Sequence, residues 1–296
     1  MNLQEFQRHK KTVDTASGPI GYADVGEGPV AFFVHGLGTN GYLWRRVIGE
    51  LRHERRCIAI DLPGHGSSPA GETQDLSLSA LADTIEHFLD ALELTGVDLV
   101  ANDTGAAISQ IFVSRHPERL TSLTLTNCEA HDNIPNEAFK GTVELARRGE
   151  LAPIAQNMIV DIETARSGDR AIGLNYEFPD LLTDETLRTY LEPVCGTLAA
   201  ARAFERLLSS LDSKDLLGAE PGLRALTAPT LIVWGTGDFH FEVSWAYWLR
   251  DLIPGASEVV EIEGGKLYFP DERADEFLPH LRRHWAAARR DTVPAR

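Results

Sequence analysis

Val97-Asp98-Leu99-Val100-Ala101-Asn102-Asp103-Thr104-Gly105-Ala106-Ala107 is the stretch whose reading decides the fold. Val97 to Ala101 is a short apolar run with the character of a buried strand, and Ile108 to Val113 continues as a helix. A strand that turns directly into a helix strains the backbone at the turn. Small neighbours are needed around the exposed side chain, and Ala101, Gly105 and Ala106 supply them. The side chain at the apex is Asp103. It would stand at the carboxyl end of the sheet, beside backbone N–H groups at a helix N-terminus. Read more plainly, Asp103 only caps the helix that follows it.

Outward from this turn, apolar strands alternate with helices. Pro19 to Val25 alternates like a half-buried strand, and Val30 to Val34 is apolar throughout. Tyr42 to Leu51 has a helical pattern, and Arg56 to Asp61 is a strand that ends in Leu62-Pro63-Gly64-His65-Gly66. A helix is expected over Leu78 to Leu94, strands over Leu123 to Asn127, Thr230 to Trp234 and Ser257 to Ile262, and helices over Val243 to Leu252 and Arg273 to about Ala287. This alternation predicts an α/β fold with a mostly parallel central sheet covered by helices on both faces. The stretch 132–222 breaks the pattern. It is rich in helix formers, with breakers at Pro153, Gly168, Pro179 and Pro193. It reads as a helical cap inserted into a core made of 1–131 and 223–296. Such a cap would exclude water and shape a pocket, with some of Phe139, Met158, Tyr176, Phe178, Tyr190 and Phe204 facing it.

The chain has 296 residues and a net charge of −16, which disfavours nucleic acid and anionic membranes as partners. Cys57, Cys128 and Cys195 are scattered, with no metal-binding pair and no disulfide framework, so a reducing cytoplasm is expected. The N-terminus lacks an apolar signal core, and no apolar run is long enough to span a bilayer. The tail from Ala286 to Arg296 is expected to fray. A homodimer is compatible with the chain, and no cofactor or metal is implied.

With these motifs in order, the chain resembles the α/β-hydrolase superfamily, and within it the haloalkane dehalogenase and epoxide hydrolase branch. His35-Gly36-Leu37-Gly38 looks like the oxyanion loop, followed by Tyr42-Leu43-Trp44-Arg45 at that branch's spacing. Asp61 to Ser68 is similar to its DxxGxGxS segment, Asn102 to Ala106 to its aspartate-type elbow, and Trp234 to Asp238 to the strand end that carries the triad acid. The resemblance implies Asp103 as nucleophile, Leu37 and Thr104 N–H as the oxyanion hole, and Asp238 or Glu129 as the triad acid. Trp44, Tyr176, Tyr190 and His240 are candidates for a substrate pocket, the two tyrosines as the pair that epoxide hydrolases use to protonate oxygen.

The last motif departs. Where the branch has its histidine, Glu263-Gly264-Gly265-Lys266-Leu267-Tyr268 carries Lys266. In the aspartate-type reaction a carboxylate attacks an sp³ carbon, and a histidine then activates water to hydrolyse the ester. An amine with a reference pKa of about 10.4 is protonated at neutral pH and is a poor base, so Lys266 is expected to pair with a carboxylate or to steady an anion. His131 and His240 could substitute as base, or be plain loop histidines; His35 and His65 belong to loop motifs and are expected to be structural. A departing halide would also lose two N–H donors, because Thr104 and Leu37 stand where dehalogenases often carry Trp and Asn. Three functions remain open: hydrolysis of a small apolar substrate through Asp103; lyase, decarboxylase or cyclase chemistry with Asp103 as acid or base and Lys266 assisting; and small-molecule binding without turnover.

Overall fold

The structure is a computed structural model that describes residues 1–169 and 171–291. Among these residues, eight strands form one sheet in the order β1-β2-β4-β3-β5-β6-β7-β8. They are β1 (Lys10–Thr15), β2 (Gly18–Val25), β3 (Val30–Val34), β4 (Arg56–Ile60), β5 (Val97–Asn102), β6 (Leu120–Thr126), β7 (Thr230–Gly235) and β8 (Ala256–Ile262). β2 runs antiparallel to β1 and β4, and from β4 onward every pairing is parallel. Residues of β5 and β7 are buried along their whole length, which explains their unbroken apolar sequences.

The sequence reading did not anticipate β1. Lys10-Lys11-Thr12-Val13-Asp14-Thr15 lies on the edge of the sheet and has no buried residue. Charged edge residues discourage pairing with other chains, and they also hide the strand from a search for apolar runs. The last helix, Ala274–Asp291, extends past the expected end near Ala287. The expected frayed tail is therefore helical as far as 291, and its remainder, 292–296, lies outside the described residues. Pro153 and Pro193 do not break helices. Pro153 sits in the first turn of Leu151–Val160, where a missing N–H costs nothing, and Pro193 lies in the last turn of Asp184–Cys195.

Between β6 and β7 the chain forms helices Lys140–Arg147, Leu151–Val160, Ile162–Arg166, Asp184–Cys195, Leu198–Ser209 and Lys214–Leu223. In Asp184–Cys195 the buried residues Leu187, Tyr190, Leu191 and Val194 recur at helical spacing, and Thr183 caps the first turn by accepting from Thr186 N at 3.1 Å. The last of these helices packs on the helix Thr104–Arg115 that follows the elbow. A Cβ added at Gly222 would meet Ser114 O at 2.4 Å, so the approach depends on glycine.

A buried polar cluster ties this helical segment to the sheet domain. Arg45 donates to Tyr190 Oη at 3.0 Å and pairs with Asp271 at 2.8 Å. Tyr176 donates to Asp271 Oδ2 at 3.1 Å. Breaking a buried pair of this kind by removing one partner typically costs about 3–5 kcal/mol, because the other charge stays buried.

Candidate functional site

Asp103 sits at φ 57°, in the left-handed region that non-glycine residues rarely occupy. Holding a residue there costs about 1–3 kcal/mol and is tolerated only where the surroundings enforce it. Two glycines allow it. A Cβ at Gly36 would lie 2.1 Å from Asp103 Oδ2, and one at Gly105 would lie 2.1 Å from His35 O. Asp103 occupies the N-cap position of the helix Thr104–Arg115, but its side chain makes no cap bond beyond the Thr104 N–H. Instead Oδ2 accepts from Leu37 N at 2.9 Å, and the Thr104 N–H also bonds this carboxylate. The expected oxyanion-hole donors thus both bond the Asp103 carboxylate itself, Leu37 N–H at Oδ2.

The loops that present these donors are pinned from below. His35 bonds Gly36 O through Nδ1 at 2.7 Å and accepts from Leu62 N through Nε2 at 2.9 Å. His65 Nε2 accepts from Gly38 N at 3.2 Å. Burial holds His35 down to about 3 and His65 to about 4, so both rings are neutral and serve as struts. Asp61 is fully buried and accepts from Gly41 N at 3.0 Å, Ser67 N at 2.7 Å and Lys10. It joins the oxyanion loop to the Asp61–Ser68 segment.

Above Asp103 lies a cavity of about 450 Å³. Its walls are mostly apolar, with Phe139, Met158 and Phe204 from the inserted segment and Leu37 and Leu267 from the sheet domain. Polar groups reach it from Asp103, Glu129, Asn175, His240 and Tyr268. Glu129, buried just after β6, accepts from Thr104 Oγ1 at 2.6 Å, while its Oε2 has no hydrogen-bond partner among the described residues. Burial pushes its carboxyl up to about 7. Burial first, and the Glu129 charge second, push Asp103 well above the usual carboxylate range. Asp238 accepts from His240 N at 2.7 Å and from Asn127 Nδ2 at 2.7 Å, and burial raises it to about 6. Carboxylates gathered in a low-dielectric site share protons unequally, which is the condition for acid–base work near neutral pH.

The other candidates fall elsewhere. Lys266 does not line the cavity; its ammonium donates to Leu174 O at 3.1 Å, and its charge slightly favours ionised Asp238. His131 bonds Glu220 and lies against the Trp248 ring at 5.0 Å, away from the cavity wall, so it is not placed as base. Trp44 is fully buried against Phe33 and does not line this cavity, because the short helix that carries it turns it into the core. Tyr176 and Tyr190 are likewise absent from the wall, since their hydroxyls are consumed by Asp271 and Arg45. His240 does line the cavity, and its Nδ1 is unpartnered. Burial lowers its pKa, so the ring is neutral at pH 7.

Sequence reasoning missed Tyr268 and Asn175. Tyr268 is buried at the wall, with its hydroxyl 3.4 Å from Leu37 O, and its pKa is raised by burial and then by the Asp103 charge. The expected histidine turn was the available signal: the turn does reach the site, but Tyr268 rather than Lys266 points in. Among the described residues, no group of three His, Cys, Asp or Glu side chains is arranged to hold a metal ion.

The chain is 25% identical over 291 residues to a cis-3-alkyl-4-alkyloxetan-2-one decarboxylase from Xanthomonas campestris, covering 92% of this chain and 94% of that one. A haloalkane dehalogenase from Mesorhizobium japonicum is 35% identical over 105 residues, 35% of this chain and 34% of that one. Among solved structures, a haloalkane dehalogenase from Bradyrhizobium elkani superposes with a TM-score of 0.79 at 19% identity, over 96% of this chain and 99% of that one. A thermophilic esterase from Thermogutta terrifontis superposes with a TM-score of 0.70 at 23% identity, over 94% and 98%. These superpositions establish the fold. The sequence profile of the alpha/beta hydrolase fold matches residues 29–272, and the chain belongs to that family.

Proposed function

We propose that the protein is an enzyme that opens a C–O bond in a small apolar organic molecule through Asp103. The observation that carries this reading is Asp103 at the floor of an apolar cavity, held at φ 57° with one oxygen fixed by Leu37 N–H. A strained residue whose side chain makes no regular N-cap bond and no ion pair has little structural purpose to offset its cost. The carboxylate is the nucleophile, and attack on a strained carbon–oxygen ring forms an ester. The oxygen at Leu37 N–H then becomes the oxyanion when water attacks Cγ, so donors are in place before charge develops. An oxygen leaving group suits the site better than a halide. Leu37 and Thr104 offer no side-chain N–H, whereas the Tyr268 hydroxyl is buried beside Asp103.

A second reading is favoured by the raised Asp103. A protonated Asp103 is an acid rather than a nucleophile, and a relative matched over 92% of this chain is named a decarboxylase of an oxetan-2-one, a four-membered cyclic ester. On that reading, a cyclic ester would break to carbon dioxide and an alkene without added water.

Incubation with epoxides, bromoalkanes and oxetan-2-ones, followed by intact-mass and product analysis, tests both. A covalent increment lost in Asp103→Ala, with diol product, supports hydrolysis. Carbon dioxide and alkene without an adduct support the second reading. No turnover anywhere in the panel removes both.

A further inference from the structure

Resting on the proposal of Asp103 as nucleophile, we infer that Glu129 is the proton-transfer residue of this site, acting directly on the attacking water in place of a histidine. Thr104 bridges the two carboxylates. Its N–H bonds Asp103, and its hydroxyl donates to Glu129 Oε1 at 2.6 Å. Glu129 therefore lies one side chain away from the ester carbon that water must attack. Its carbonyl is anchored as well, accepting from Gln110 Nε2 at 2.8 Å. That leaves Oε2, buried and unpartnered, on a residue that lines the same cavity. An unpaired buried carboxylate oxygen is costly, and a substrate or water is the partner it lacks.

The competitors are less well placed. Lys266 and His131 are spent on Leu174 O and Glu220. His240 reaches the cavity, but among the described residues no carboxylate or other group orients its Nδ1. Burial brings Glu129 to about 7, where a carboxylate is a stronger base than an ordinary one yet still ionises near neutrality.

The step balances for an epoxide. An Asp103 oxygen bonds the ring carbon, the C–O bond breaks, and the ring oxygen takes the Tyr268 proton. Glu129 Oε2 then takes a proton from water as the water oxygen bonds Asp103 Cγ. The tetrahedral oxyanion at Leu37 and Thr104 N–H collapses and breaks the ester C–O bond. The departing alkoxide takes the proton from Glu129, and the acid proton left on Asp103 returns to the Tyr268 phenolate.

The test uses 1,2-epoxyhexane with wild type, Glu129→Gln and His240→Gln, and thermal melts confirm that each is folded. Glu129→Gln is expected to lose ~10²-fold or more in diol formation and to accumulate a peptide containing Asp103 that carries one epoxyhexane. His240→Gln is expected to turn over without accumulating it. In wild type, kcat should rise with pH through neutrality as Glu129 ionises. Undiminished turnover in Glu129→Gln, a stall without adduct, or adduct in His240→Gln instead would overturn the Glu129 assignment while leaving Asp103 standing. Absence of both adduct and diol in wild type and every variant would overturn the Asp103 reading and this one with it.

Discussion

Glu129→Gln should change the pH dependence of stability as well as the chemistry. In the folded protein the Glu129 carboxyl ionises near 7 instead of its ordinary 4.5, chiefly because it is buried. At about 1.4 kcal/mol for each tenfold change in proton affinity, burying the ionised form costs ~3 kcal/mol. The folded state holds this proton more tightly than the unfolded chain does. The stabilisation is therefore complete below about pH 4.5 and is lost as pH rises through about 7. Glutamine keeps the shape and carries no proton to lose. Urea unfolding of wild type and variant at pH 4 and pH 8 isolates the effect, since titrating groups other than the neighbouring Asp103 and any constant packing cost largely cancel in the difference. Relative to wild type, the variant should gain ~3 kcal/mol between the two pH values. The gain includes relief of Asp103, whose carboxyl is raised partly by the Glu129 charge. A difference that is flat with pH would show that Glu129 is not a buried proton holder, and the acid–base reading of the cavity would fall with it.

Gly36→Ala places a Cβ 2.1 Å from Asp103 Oδ2, so it should destabilise the fold by ~1–3 kcal/mol in urea unfolding and abolish the Asp103 adduct seen by mass spectrometry. Tyr268→Phe should slow epoxide opening by ~10²-fold in steady-state kinetics while melting like wild type. Tyr176→Phe breaks the bond to Asp271; calorimetry should find a loss of ~1 kcal/mol, with turnover unchanged because this residue is not at the cavity wall. Lys266→Met removes a charge that favours ionised Asp238, so the Asp238 titration followed by carbon-detected NMR should move above about 6.

Strand and elbow were readable because local constraints are strong. Only small residues fit around a strand-to-helix turn, and continuous apolar runs such as Val97 to Ala101 admit few alternatives to a buried strand. The donor loop was readable for the same reason, since His35-Gly36-Leu37-Gly38 must bring backbone N–H groups close to Asp103, and Gly36 leaves room for nothing larger. Strand β1 escaped notice because an edge strand has little apolar sequence to show.

The sequence by itself pointed to a mostly parallel sheet with Asp103 at a strand-to-helix turn, and to Lys266 where the resemblance would place a histidine. Which groups surround that aspartate was decided only by tertiary structure. Tyr176 and Tyr190 are 14 residues apart and nearly adjacent in space, yet they are turned away from the cavity by Arg45 and Asp271, which come from distant parts of the chain. Lys266 and Tyr268 share one turn, and only the path of that turn sends the phenol inward and the ammonium to Leu174 O. Glu129 becomes a base candidate only because Thr104 bonds one of its oxygens and the fold leaves the other buried without a partner among the described residues. A side chain's direction and its local dielectric depend on contacts between segments far apart in sequence. Those contacts also raise the proton affinity of Asp103 and Glu129, and no local pattern of residues encodes them.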